Sequence, residues 1–295
     1  TQMYQQGSGT GGSQIKGCSF GIFIPSLNKC RGFITSGTSW TVPSDWNSSN
    51  NSIEVIGGGG GGSNHAAGGG GGEYRKISNI TLTSGASVSY SIGAGGAGGD
   101  SGSNGGDTWF SSTSFLKAIH GNGAAYTTGG AGGTGGTGGS GNNGGTGASY
   151  PGGSTAGGGG GAGGPIGAGT NGNGTGAGDT PSTTAKGGLN SQTTIVNGGS
   201  GSSFDAAHGA GGGGSGGNAV AAGSGGLYGA GGGGGYFGSG AAGAQGLIVI
   251  TYVPTGTPAG QPLSATINTT LTPPNLATGL VGHWTFDGGD LISNA

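Results

Sequence analysis

The sequence predicts an all-β protein: an antiparallel β sandwich with a long glycine-rich insertion that forms a polyglycine II helix bundle. Three observations predict it. Short segments alternate apolar and polar residues with the strand period of two, and no stretch of useful length keeps the helical period of 3.6. Glycine supplies 88 of 295 residues, gathered in tracts that interleave with those segments. In residues 129–149 (GGAGGTGGTGGSGNNGGTGAS), Ala131, Thr134, Thr137, Ser140, Asn143, Thr146 and Ser149 recur at every third position. An extended left-handed helix has 3 residues per turn and rises about 3.1 Å per residue. It would set those side chains on one face and leave two faces of bare glycine. Neighbouring backbones can then approach closely enough for N–H and C=O groups to bond sideways.

The same composition also fits a flexible linker. The interleaving of glycine tracts with patterned β segments favours packed structure. Collagen does not fit. It needs one glycine in three with abundant proline, whereas the 129–149 run is glycine at 12 of its 21 positions and the chain holds 10 prolines.

Residues 1–16 are polar, rich in glycine and serine, and are predicted to be a flexible N-terminal segment. Residues 17–32 read as a small hairpin: Cys18, Phe20, Ile22 and Ile24 alternate, and Pro25, Ser26 and Asn28 supply the turn. Cys18 and Cys30 flank it, and a disulfide between them would contribute roughly 3 kcal/mol. Such a bond implies an oxidising, extracytoplasmic setting; two unpaired cysteines are the alternative. A cysteine-only metal site lacks its third and fourth ligands.

A β domain is expected over residues 33–254. ITSGTSWTVP reads as one strand ended by Pro43, and residues 52–56 as a strand running into the six glycines 57–62. After a second tract at 68–72, residues 73–83 are β-rich, with Ser84 and Gly85 as a hairpin turn leading to a strand at 86–92. Val88, Tyr90 and Ile92 alternate there with Ser87, Ser89 and Ser91. Residues 108–120 hold one or two strands. The glycine-rich insertion is placed at 121–246, with apolar islands as turns and covers. LIVITYV at 247–253 reads as a central strand buried on both faces.

Residues 255–278 form a linker that encloses a further alternation. Leu263, Ala265, Ile267, Thr269 and Leu271 face one way, the pattern of a strand that must join a sheet, its own or a neighbouring subunit's. The chain opens without an initiator and stops within what reads as a further domain, so both ends are expected to be cut or processed.

With 7 basic and 9 acidic residues the net charge is −2, which gives no footprint for nucleic acid. No apolar run nears the roughly 20 residues that span a bilayer. Candidate chemistry is sparse. Residues 93–98 fit G-x-G-x-x-G after a strand, but GDSGSNGGD follows where a dinucleotide site needs a helix. His65, His120, His208 and His283 lie far apart. Asp100 and Asp107 flank a turn, the pattern of a loose calcium site or of solvated turn aspartates. No catalytic, metal or cofactor residues are assigned, and the chain is not expected to be an enzyme. Tyr150, Tyr228, Tyr236 and Phe237, set among glycines, read as end caps of the bundle or as an adhesive surface.

The chain also resembles a known class at WTVPSDWNSSNNSIEVIGGGGGG (40–62), YSIGAGGAGGD (90–100) and LYGAGGGGGYFGSGAAGAQGLIVITYVP (227–254). In motif order over 33–254 it is similar to the glycine-rich domains of bacterial surface proteins and of phage tail fibres and adhesins. The resemblance implies a β sandwich carrying polyglycine II helices in extracellular fibres, with adhesive or host-recognition roles. The glycine-rich ectodomain of one receptor-kinase group is more distantly similar. From Gly279, GLVGHWTFDGGD is similar to the opening strand of laminin-G-like, concanavalin-type lectin domains, so 279–295 read as the start of a truncated domain. The sugar- and calcium-binding loops of that fold would lie further on, and His283 and Asp287 are expected to be structural.

The expected function is therefore an extracellular structural subunit of a fibre or filament on a cell or virion surface. Its expected partners are copies of itself and a cell-surface receptor or glycan. The alternatives are a receptor-binding adhesin at a phage tail-fibre tip and a carbohydrate-binding, lectin-like surface module.

Overall fold

The computed structural model describes residues 17–150, 152–173, 180, 182–190 and 193–255. The chain divides into two units, and the described residues belong to one of them, Lys16–Pro258. The N-terminal segment 1–16, the alternation Leu263, Ala265, Ile267, Thr269 and Leu271, and the lectin-like start at 279–295 lie outside the described residues.

Among the described residues there is no helix, and the elements are β1 (Ile22–Ile24), β2 (Lys29–Ile34), β3 (Ser39–Thr41), β4 (Asn51–Ile56), β5 (Tyr74–Ser78) and β6 (Ser87–Ser91), followed by β7 (Thr108–Phe110), β8 (Leu116–Ala118), β9 (Ser140–Asn142), β10 (Gly217–Asn218), β11 (Gly235–Tyr236) and β12 (Leu247–Tyr252). A six-stranded sheet runs β1-β2-β12-β4-β5-β9, and a four-stranded sheet runs β3-β6-β7-β8. All pairs within these two sheets are antiparallel. The two sheets pack face to face as a sandwich.

β12 lies near the middle of the larger sheet because both of its faces are covered. Ile248, Ile250 and Tyr252 pack into the core between the sheets with Ile53, Val55, Trp40, Val88 and Phe110. Leu247 and Val249, on the opposite face, pack with Ile56, Tyr74, Ala162, Phe204 and Tyr228. With no wet face there is no polar position to alternate, hence the unbroken LIVITY. Each such side chain contributes roughly 1.5–3 kcal/mol by leaving water. The expected disulfide joins Cys18 to Cys30. It ties the entry of the domain to β2, where Cys30 lies opposite both Phe23 and Tyr252.

Two sequence-based expectations are corrected. ITSGTSWTVP is not one strand: β2 ends at Ile34 and β3, from Ser39, belongs to the other sheet. The break falls at Gly37, which has a φ of 94° and lies beside the Tyr90 hydroxyl, a site that favours glycine on both counts. Nor do Ser84 and Gly85 close a hairpin between β5 and β6. Gly85 does turn the chain, at φ 79°, but β5 pairs with β4 and β9 while β6 pairs with β3 and β7. Arg75 and Lys76 hold β5 against buried Glu73 and Glu54, whereas Val88 and Tyr90 of β6 belong to the core between the sheets. The segment between them changes sheets.

The glycine tracts continue the strand pairings beyond the ends of the sheets. Ile56 lies opposite Tyr74 in the β4–β5 pair. In the same register Gly57 N–H donates to the Glu73 carbonyl, Gly60 to Gly70 and Ser63 to Ala67. The bonds recur every third residue, and the two intervening positions reach other neighbours. Gly58 and Gly61 donate to Gly106 and Ser103, and Gly59 and Gly62 to Ala244 and Ala241. That last pair keeps the β12–β4 register, in which Leu247 faces Ile56.

The carbonyls repeat the arrangement towards three further runs. Gly58 and Gly61 accept from Gly121 and Ala124, Gly59 and Gly62 from Gly96 and Gly99, and Gly60 and Ser63 from Gly232 and Gly235. Residues 57–63 are therefore bonded to six neighbouring runs, at N···O distances of 2.8 to 3.2 Å. A Cβ added at any of Gly57 to Gly62 would collide with a backbone carbonyl of a neighbouring run.

The run 129–149 differs from its expectation as a single extended helix. Gly147 N–H donates to Gly130 and Gly144 N–H to Gly133, so its two halves lie antiparallel. Gly135, Gly138 and Gly139, at φ 81°, 78° and 58°, turn the chain between them, and residues 140–142 form β9 on the edge of the larger sheet. Within each half Ala131, Thr134, Asn143, Thr146 and Ser149 are exposed, as are Gly135, Gly139 and Gly141 around the turn, while Gly133 and Gly145 are buried. Ser140 is exposed on β9, and Thr137 is half-buried in a bridge to Lys117. The laterally bonded runs also reach beyond 121–246 into 57–62, 68–72 and 94–106.

Gly60→Ala is expected to destabilise the protein by roughly 3 kcal/mol or more in urea denaturation, since a carbonyl fixed by its own bonds cannot move aside. Gly17→Ala, where nothing lies within 4 Å of the added carbon, is expected to change stability by less than about 0.5 kcal/mol.

Candidate functional site

The runs that start at Gly57 and Gly121 lead away from β4 and β8, and the run 241–246 leads back into β12. The turns at 63–67, 125–128 and 235–239 therefore gather at the end of the array away from the sandwich. Ser63, fully buried, fixes the first of them. Its hydroxyl accepts the Ala67 N–H at 3.0 Å and the His65 N–H at 3.2 Å, and donates to the Tyr126 carbonyl. Asn64 ties three segments together: Nδ2 donates to Asp100 at 2.9 Å and Oδ1 accepts the Gly240 N–H at 2.9 Å. Ala125 and Thr128 exchange both backbone bonds at 2.9 Å, which closes the second turn.

These turns frame an open cleft of about 690 Å³. Its walls are aromatic. His65 lies flat on Tyr126, with ring centroids 3.7 Å apart, and its Nδ1 donates to the Asp100 carbonyl at 3.1 Å. Tyr150 and Tyr236 run nearly parallel at 5.8 Å and 13°, and Phe237 stands edge-on to Tyr236 at 4.3 Å. The Tyr150 hydroxyl donates to the Gly153 carbonyl at 2.6 Å. Reduced hydration, and then the Tyr236 hydroxyl, raise the Tyr150 pKa above that of a free phenol. Asn64, Thr127 and Ser239 complete the lining with polar groups.

Of the four aromatics expected to form an adhesive surface, Tyr150, Tyr236 and Phe237 meet in this cleft. Tyr228 does not. It is only 7% exposed and belongs to the core under β12, near the opposite end of the array. His208 stacks between Phe33 and Tyr228, at 3.7 Å and 5.8 Å, and its Nδ1 meets Asp205 at 2.8 Å. Burial alone would raise the Asp205 pKa. Its bonds from Ala207 and His208 outweigh that and hold it below the usual carboxylate range. Burial, then the Asp205 charge, raises Tyr228.

Sequence reasoning missed Tyr126, His65 and Asn64 as site residues. The available signal was positional: each sits where one glycine run ends and the next begins, as Tyr236 and Phe237 do.

The remaining candidates are occupied in other ways. In the G-x-G-x-x-G stretch, Gly96 N–H donates to Gly59, and the carbonyls of Gly93, Ala94 and Ala97 accept from Gly246, Gly106 and Ser103. Asp100 pairs with Asn64, whereas Asp107 meets His120 at 2.6 Å and Lys117 at 3.6 Å. Among the described residues no three of His, Cys, Asp and Glu gather as a metal site, and no helix is long and apolar enough to cross a membrane.

The sequence profile of the glycine-rich domain matches residues 34–253. The chain belongs to the glycine-rich domain family. No curated protein matches the chain. In this glycine-rich domain the matched region runs from the last residue of β2 past the end of β12, so it takes in β3 to β12 and every described glycine run, while β1 and the rest of β2 precede it.

The two kinds of aromatic in the glycine-rich domain are expected to separate on mutation. Tyr228→Ala should cost about 3 kcal/mol or more in urea unfolding, as for other buried aromatics. Phe237→Ala, at an 83% exposed position, should stay within about 0.5 kcal/mol of the parent.

Proposed function

We propose that the chain is an extracellular structural subunit of a surface fibre or filament, that its glycine runs pack as polyglycine II helices, and that its partners are copies of itself. The observation that carries this reading is the lateral bonding of residues 57–63 to six neighbouring runs. Backbone bonded in every direction, without side chains to hold neighbours apart, makes a stiff and uncharged body with few sites for a protease to enter. The period of three in those bonds is the period of the extended left-handed helix. The sandwich anchors that body, and the role is mechanical rather than enzymatic. The disulfide supports an oxidising, extracytoplasmic setting.

Subunits would join through their terminal segments, the 260–271 alternation adding as a strand to a neighbour's sheet. β1, at the edge of the larger sheet with Ile22 62% exposed, offers an open edge. A receptor-binding role at a fibre tip is the second reading, favoured by the aromatic cleft at the far end of the array. Electron microscopy of the native assembly is expected to show an elongated particle or a helical repeat, and deletion of 260–271 is expected to abolish it. Filaments that persist unchanged after that deletion would reject strand addition.

A further inference from the structure

We infer that the cleft framed by Tyr126, Tyr150, Tyr236 and Phe237 is a binding site for a neutral saccharide. The inference concerns the cleft alone and holds whether or not the chain polymerises.

Two of the rings contribute little to the stability of the fold. Phe237 is 83% exposed and Tyr126 is 55% exposed, so burial accounts for neither. Both sit at φ 55°, in the left-handed region that suits glycine and disfavours a bulky side chain. A chain with 88 glycines carries aromatic residues at two turn positions where glycine would relieve the backbone. Residues held in such a conformation concentrate at ligand sites. The rings are also held ready: Tyr126 lies under His65, Tyr150 bonds to Gly153, and Tyr236 is packed between Tyr150 and Phe237. Little ordering remains to be done on binding.

Shape and charge narrow the ligand. The cleft is concave, and its volume of about 690 Å³ falls within the roughly 300–1,000 Å³ of small-ligand sites. A protein partner of standard size instead covers about 800 Å² on each side. Among the described residues no Lys, Arg, Asp or Glu lines the cleft, so neither a phosphate nor a carboxylate would find a charged partner there. What lines it is a pair of near-parallel rings, a third ring at 63° to that of Tyr236, and the hydroxyls of Thr127 and Ser239. A sugar ring has the complementary surface. Its axial C–H groups lie against the electron-rich face of an aromatic ring, and its equatorial hydroxyls can both donate to and accept from side-chain hydroxyls. The apolar side chain of a protein would use the rings and leave those hydroxyls unmatched.

The test presents the full chain to an array of immobilised oligosaccharides, some neutral and some sialylated or sulfated, with deglycosylated cell-surface protein as a further arm. Capture by neutral oligosaccharides is expected. It should fall at least tenfold in Phe237→Ala and Tyr236→Ala and be kept in Phe237→Trp, with the thermal unfolding midpoint of Phe237→Ala unchanged. Saturation-transfer NMR on a captured sugar should show its C–H protons receiving magnetisation from the tyrosine rings. The inference is overturned if no neutral oligosaccharide is captured, if only acidic ones are, if Phe237→Ala captures as well as the parent, or if the deglycosylated protein arm binds through the same residues.

Discussion

The structure depends on one constraint: strand pairings that begin in the sandwich continue past the ends of the sheets as backbone bonds with no room for a side chain. β4–β5 passes into the pairing of 57–63 with 67–73, β4–β12 into 59–62 with 241–244, and β6–β7 into 94–97 with 103–106. Within the sheets a strand bonds to at most two neighbours; beyond them the central run 57–63 is bonded in all directions around its axis. That change requires the Cβ atoms to go, because the direction a Cβ would take is occupied by a neighbour's carbonyl. Glycine ordinarily weakens an ordered segment through the conformational freedom it loses. Here the loss is offset by amide groups that are nearly all paired, away from water.

A seam between two bonding geometries leaves groups without partners, and buried polar side chains serve them. Glu73, 1% exposed, ends the second glycine tract. Its carboxylate accepts the N–H groups of Ile119 and Gly136 at 3.0 and 2.9 Å and pairs with Arg75 at 3.0 Å. Thr108, also buried, accepts the Gly93 N–H at 3.0 Å where β6 gives way to glycine. Ser63 does the corresponding work at the far turn. An unpaired carboxylate at the Glu73 position would be costly, so the seam is fixed by few residues and little variation is open to it. The sandwich depends in turn on what the array brings back. Ala162, Phe204, Ala210 and Tyr228 cover the face of the larger sheet that the smaller sheet leaves open.

Much of the fold was legible. Alternation located β6, an unbroken apolar run located β12, and the two cysteines flanked their hairpin. Sheet membership was not legible, because nothing local says whether Val88 and Tyr90 pair with the preceding strand or face it across a core. The period of three was visible in 129–149, the most regular stretch. The centre of the array lies at 57–63, where uninterrupted glycine carries no period to read. The site was half legible: Tyr150, Tyr236 and Phe237 stood out as aromatics among glycines, and Tyr228 looked the same from its neighbours. What separates Tyr228 is where along its run it sits, beside the sheet at one end, while Phe237 sits at the turn.

The lateral bonding can be tested most directly by amide hydrogen exchange of the intact chain, resolved by NMR at Gly57 to Gly62 and at Gly68 to Gly72. Amides bonded as described exchange only through large-scale opening and are predicted to be protected to an extent comparable with those of β12. Exchange of these glycines at the rate of an unstructured peptide, while β12 stays protected, would contradict the account and leave only a sandwich with glycine-rich loops.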